Sequence, residues 1–169
     1  MDITMVVLRL VHLFSSVLWV GFTFGMVLFI APSVEALGAE AQKFMQHFSQ
    51  RSGVSRWMAI SGGLSVLSGA WMYYRLFGPL APLNTGTGLA LTVGSLAGIL
   101  ALLIGSQISR TTKAIGALGA SMAASGPPEP EQLAAMGQLQ ERMARLTSAT
   151  AILMVVALAG MTLSEYFVL

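Results

Sequence analysis

The chain contains no cysteine, which excludes disulfides, thiolate metal sites and cysteine nucleophiles together. Charge is nearly as scarce. Asp, Glu, Lys and Arg make up 9% of its 169 residues, against about 25% in soluble domains. With 55% hydrophobic residues and a mean hydropathy of +0.75, there is too little polar surface to cover an apolar core. The net charge of +2 comes from basic residues in connecting segments, so no phosphate-binding face and no nucleic-acid partner are expected. A cleavable signal is not visible either. Met1-Asp2-Ile3-Thr4 lacks a basic segment, and the first apolar run is too long for a signal core.

What the sequence does have is long charge-free runs, from Arg9 to Glu35, Arg56 to Arg75, Arg75 to Arg110 and Arg145 to Glu165. A helix crossing a bilayer takes about 20 mostly apolar residues. The expected fold is therefore an all-α integral membrane protein, a single transmembrane domain over 1–169. It reads as a four-transmembrane-helix bundle with spans at about 4–30, 55–77, 88–109 and 147–168, none containing a proline. Lys43, Arg51, Arg56, Arg110, Lys113, Arg142 and Arg145 flank the two long connections, whereas the short loop 78–87 has only Arg75 beside it. The positive-inside rule then places both long connections in the cytoplasm and both termini outside.

Those connections carry helix signals of their own. In Glu40–Arg51 the apolar residues Ala41, Phe44, Met45 and Phe48 recur at spacings of three and four, an amphipathic pattern. Glu131–Arg145 is helix-forming and runs on into the fourth span. Gly116–Pro130, rich in Ala, Gly and Ser and ending Pro-Pro-Glu-Pro, reads as a loop or helix start. One offset lays Arg51 on Arg142 and Gly69 on Gly160, a faint echo suggesting a duplicated helical hairpin.

Inside a bilayer, helices associate through small residues and scarce polar contacts. Gly21 and Gly25, and Gly94 and Gly98 continued by Ala101 and Gly105, form faces suited to helix contact. A second face of the first span is partly polar: Met5, Arg9, His12, Ser16, Trp19, Thr23 and Met26 form one stripe. Ser61, Ser65, Ser68, Met72 and Arg75 do the same on the second span. On the fourth the stripe is Thr147, Ala151, Met154, Leu158, Met161 and Glu165. The outer half of the bundle thus collects His12, Met72, Met161, Arg9, Arg75 and Glu165, with Trp71, Tyr73, Tyr74 and Tyr166.

An ionisable residue within a span marks a candidate site. His12 has two readings from its surroundings: a hydrogen bond across helices, or a ligand. As a ligand it suits haem iron, with a His or Met opposite, or Cu(I), which soft thioethers select. Met72 and Met161 lie at the right depth for either role, though methionine also serves as apolar filler. Arg9, one turn beyond, suits a haem propionate or snorkels to the interface. His47, beside Glu40, Lys43 and Arg51, reads as solvated. Glu165 and Arg75 read as an interfacial pair or as water-facing. No nucleophile–base pair, paired carboxylates or His-rich metal motif is present, so any chemistry would come from a bound cofactor.

Leu8–Gly21 has the form Arg-x-x-His, six residues, Trp-x-Gly, carried by Arg9, His12, Trp19 and Gly21. This resembles the first span of the copper-resistance D family. It is similar too to the membrane domain of bacterial cytochrome-linked urate hydroxylases and, more loosely, to four-helix membrane protoporphyrinogen oxidases. The resemblance implies a haem- or copper-related redox protein of the bacterial inner (plasma) membrane with His12 as ligand. The expected function is accordingly redox or metal handling at a haem b or copper site around His12, within a larger electron-transfer complex or a homo-oligomer. The competing expectation is a cofactor-free structural subunit that packs against partner helices.

Overall fold

A computed structural model describes residues 2–38, 41, 44–45, 47–48, 51–79 and 83–167. The described residues are helical, with no strand among them. Helix α1 spans Ile3–Gly25, and a π-helical segment, Met26–Ile30, carries it without a break into α2, Ala31–Leu37. Helix α3 spans Val54–Phe77, α4 Gly86–Ser125 and α5 Pro130–Leu163, and a 3₁₀ turn at Ser164–Phe167 ends the described chain.

Three of these helical units, Ile3–Leu37, Gly86–Ser125 and Pro130–Phe167, are long and apolar enough to cross a membrane. Helix α3, the expected second span, does not reach that hydropathy. Its 24 residues include Ser61, Ser65 and Ser68, three of the most buried polar residues among those described. Polar groups turned inward lower the average without facing the surroundings. Large apolar side chains lie outside instead: Phe14 and Leu67 are each 70% exposed. Such an inverted distribution suits a lipid surround better than water.

Each helix starts and stops for local reasons. Asp2 caps α1 by accepting from the Thr4 amide at 3.0 Å. At the far end Pro32 has no N–H, and its ring crowds the carbonyl four residues back. The wider π turn ahead of it absorbs that mismatch, with Ala31 N–H reaching Met26 O. So the helix runs on through a proline just beyond the expected span. Gly116–Ser125, expected as a loop or helix start, is the helical end of α4. Alanine, the best helix former, recurs there at 114, 117, 120, 123 and 124. The turn itself is only Gly126–Glu129, with Gly126 at φ +91° and a capping box between Glu129 and Gln132 opening α5. The Glu131–Arg145 helix runs on without a break to Leu163, as expected. Of Glu40–Arg51, the residues Ala41, Phe44, Met45, His47, Phe48 and Arg51 are described and helical; the others lie outside the described residues. Phe48 stacks on Phe22 of α1 with ring centroids 6.1 Å apart.

Packing is pairwise and antiparallel. Helix α1 lies on α3 and α4 on α5, with α3 against α4 joining the pairs. The α4–α5 seam keeps alternating steps of four and three over its whole length. It runs Ala90, Gly94, Ala97, Ala101, Ile104, Ile108, Thr111, Ile115, Leu118 and Met122 on α4, all buried or half-buried. On α5 it runs Gln132, Met136, Leu139, Met143, Leu146, Thr150, Leu153, Ala157, Gly160 and Ser164. Such spacing is that of a coiled coil. Small residues fill the half nearer the chain termini, where the backbones touch; larger ones fill the other half. A Cβ on Gly160 would lie 2.6 Å from Ala90 O and 2.9 Å from Gly94 Cα. By contrast, a Cβ added at Gly21, Gly25, Gly98 or Gly105 would meet nothing within 4 Å. Among the described residues the expected helix-contact faces therefore shrink to Gly94 and Ala101.

Gly160→Ala should destabilise the protein by about 1–3 kcal/mol, because backbone must move to admit the methyl. Gly98→Ala should be neutral or stabilise by about 0.5–1 kcal/mol. Unfolding in detergent micelles, followed by circular dichroism, checks both; equal effects would contradict the crossing.

Candidate functional site around His12

Two rings on α1 rest on two glycines of α3. A Cβ on Gly62 would lie 3.1 Å from Cε2 of Trp19, and one on Gly69 would lie 2.9 Å from Cε1 of His12. Between them Ser16 and Ser65 share a hydroxyl hydrogen bond of 2.7 Å. The rings and the glycines are each one heptad apart, so the antiparallel register seats both at once.

That register produces layers. Trp19 packs with Ala101 and Met154 in the most buried apolar cluster. One heptad toward the termini, about 10 Å at 1.5 Å per residue, the corresponding positions are His12, Gly69, Gly94 and Met161. His12 and Met161 thus fall at the same level of the register. Met72, half-buried, lies one turn beyond Gly69 on α3.

The hydrogen bonds of His12 fix its tautomer. Nδ1 lies 2.8 Å from the Ser65 carbonyl oxygen. A carbonyl only accepts, so Nδ1 carries a proton and donates. The Ser68 hydroxyl donates to Leu64 O at 2.5 Å and presents its oxygen 3.4 Å from the same Nδ1. In the neutral ring Nε2 then holds a lone pair, and no described residue donates to it. Since no buried side-chain nitrogen or oxygen among the described residues lacks a partner, Nε2 lies at accessible surface. A ring whose far nitrogen is tied to a backbone carbonyl is the usual arrangement of a metal-ligating histidine.

The other expected site residues are less gathered. Among the described residues no hydrogen bond links the sulfur of Met72 or Met161 to a ring nitrogen of His12. Arg9 follows the stripe but is exposed. Among the described residues no group of three or more His, Asp, Glu or Cys could hold a metal. Arg75 pairs with Asp2 at 2.6 Å, joining the start of α1 to the end of α3. Of the two expected arrangements, an Arg75–Glu165 pair or water-facing groups, Glu165 takes the second: it is exposed in the 3₁₀ turn. Asp2 precedes the first apolar run and so falls outside the expected site; its N-cap position is the sequence signal that points to it. His47 is exposed. The hydroxyls of Tyr73 and Thr92 share a hydrogen bond of 2.8 Å, and Thr92 Oγ1 lies 2.7 Å from Gly88 O, tying α3 to α4 beside this site.

Comparison of the chain with family models, curated proteins and solved structures finds no match.

The ring geometry makes a spectroscopic prediction. ¹⁵N NMR of histidine-labelled protein should show the neutral ring of His12 as the Nδ1–H tautomer. An Nε2–H tautomer would contradict the hydrogen bond to Ser65 O. Gly69→Val should shift the His12 signals, because the added side chain takes the ring's place.

Proposed function

We propose that the chain is a four-span protein of the bacterial inner membrane in which His12 ligates haem b through Nε2. The observation that carries this reading is the pairing of an Nδ1–H donated to Ser65 O with an accessible, unpartnered Nε2. Counting α3 as the fourth span is supported by Arg56 and Arg75, about 29 Å apart along the helix, close to the thickness of a hydrocarbon core. The end carrying Asp2 and Arg75 is then outside and the long α4–α5 hairpin cytoplasmic, as the excess of Lys and Arg there favours.

Within that reading, Gly69 leaves room for the imidazole and Ser65 O holds its tautomer and angle. Arg9, one turn outward and without an ion pair among the described residues, is placed to pair with a propionate. When bound, the haem would supply one-electron transfer; His12 would hold it through Nε2, with the Ser65 carbonyl setting the ring's orientation. Met72, Met161 or a residue of a partner subunit would be the further candidates to hold the group. Copper fits less well, because it needs several soft ligands around one ion and among the described residues no methionine sulfur is hydrogen-bonded to a ring nitrogen of His12.

A second reading is favoured by the glycine faces with open space, Gly21 with Gly25 and Gly98 with Gly105. They admit close approach of partner helices, and His12 would then serve only as a lock between α1 and α3.

Visible spectra of the purified protein, oxidised and dithionite-reduced, separate these readings. The haem reading expects a Soret band that His12→Ala removes by at least about tenfold, a loss on the scale of ligand-shell deletions. His47→Ala should retain it. Membrane insertion should survive, since alanine makes the span more apolar. A colourless sample with stoichiometric copper would move the assignment to copper. A colourless, metal-free sample would leave the structural reading.

A further inference from the structure

The α4–α5 register gathers charges that are scattered in sequence. Gly94 meets Gly160, and a Cβ on Gly119 would lie 4.0 Å from Cε of Met136. Interpolating between these anchors sets Arg110 level with Ala144 and Lys113 level with Glu141. Arg110, Lys113, Arg142 and Arg145 therefore fall within about 5 Å of hairpin axis at 1.5 Å per residue. All four are exposed. Arg145 pairs across a helical turn, at 2.5 Å, with Glu141, the one carboxylate at this height of the hairpin. Arg142 makes a 3.5 Å contact to Gln107 Oε1. Arg110 and Lys113 form no ion pair among the described residues. On the core side the same level holds buried Thr111; on the side toward the termini α4 is charge-free back to its start at Gly86. Four cations and one carboxylate thus ring the helices where the apolar stretch ends.

We propose that this collar binds the headgroups of anionic phospholipids. The occupant follows from charge and position. A net positive ring at the edge of a membrane-length apolar segment sits at headgroup height, and each Lys or Arg near an anionic surface contributes about fivefold in binding. The isolated pair of Arg145 and Glu141 satisfies one cation only in part, at 77% and 63% side-chain exposure. The remaining three are left to phosphate oxygens, with Arg able to engage them bidentately. This inference rests on the membrane-spanning reading of α4 and α5, not on their orientation or on any cofactor at His12.

The test uses the full chain in nanodiscs of phosphatidylcholine containing a minority of phosphatidylglycerol, with retained lipids counted by native mass spectrometry after mild detergent transfer. The protein should retain phosphatidylglycerol well above its bulk fraction. The variant R110Q/K113Q/R142Q/R145Q should fall to the bulk fraction, and E131Q, at the hairpin tip, should behave as the parent. Raising salt to 1 M, where the screening length is about 3 Å, should erode the enrichment. Bulk-ratio retention by the parent, or undiminished enrichment in the quadruple variant, overturns the proposal. If that variant fails to fold by circular dichroism, Arg142→Gln alone should lower enrichment several-fold, and no change there also overturns it. Both leaflets carry the anionic lipid, so a reversed topology would not produce a negative result. Failure to insert into nanodiscs at all would instead refute the membrane-spanning reading.

Discussion

The approach of α1 to α3 depends on space that two glycines leave open. Without Gly62 and Gly69 the indole of Trp19 and the imidazole of His12 have no room between the helices. A bilayer offers little hydrophobic drive for helices to associate, so packing and polar contacts must supply it. Here a ring on a glycine, a serine on a serine and a second ring on a second glycine follow one another at heptad spacing. Their register fixes which atom of His12 meets which carbonyl. It also fixes the depth at which the free nitrogen emerges.

The second hairpin applies the same physics differently. Helices α4 and α5 touch backbone to backbone at Gly94 and Gly160, then separate as Ile, Leu and Met replace Gly and Ala along the seam. Forty residues of α4 make about 60 Å of helix at 1.5 Å per residue, twice what a hydrocarbon core requires. The excess carries its coiled-coil seam past the level of Arg110. Charged groups bracket the apolar length: Asp2 and Arg75 at one end, the cluster around Arg110 and Arg145 at the other. The π segment at Met26–Ile30 lies near this second boundary, where Pro32 forces a wider turn on α1.

Much of this is legible in the sequence, and the gaps have physical causes. The stripe through His12, Ser16, Trp19 and Thr23 marks the buried face of α1, because a helix repeats its faces regardless of partner. The serine stripe on α3 is equally plain. Arg9 obeys that periodicity yet lies exposed, since a stripe on a cylinder has an edge that spacing alone does not mark. Small-residue motifs promise more than the fold delivers: Gly21, Gly25, Gly98 and Gly105 share the pattern of Gly94, but an added Cβ there would meet nothing among the described residues. Gly69 and Gly160 show in the sequence only as an echo, because a glycine's role is set by what faces it. The alanine-rich end of α4 reads as a loop only when Gly and Ser are weighed above Ala. The Arg75–Asp2 pair requires the register of two helices far apart in sequence, which no local pattern contains.

Because the chain has no cysteine, an introduced pair reports that register directly. Ser16 and Ser65 have their hydroxyl oxygens 2.7 Å apart, which puts the thiols of S16C/S65C within reach of each other. Oxidation in native membranes should cross-link this variant efficiently and leave V17C/S65C, with Val17 exposed on the next face, largely uncross-linked. Equal cross-linking of both pairs, or none in the first, would contradict the ring-on-glycine register and with it the placement of His12.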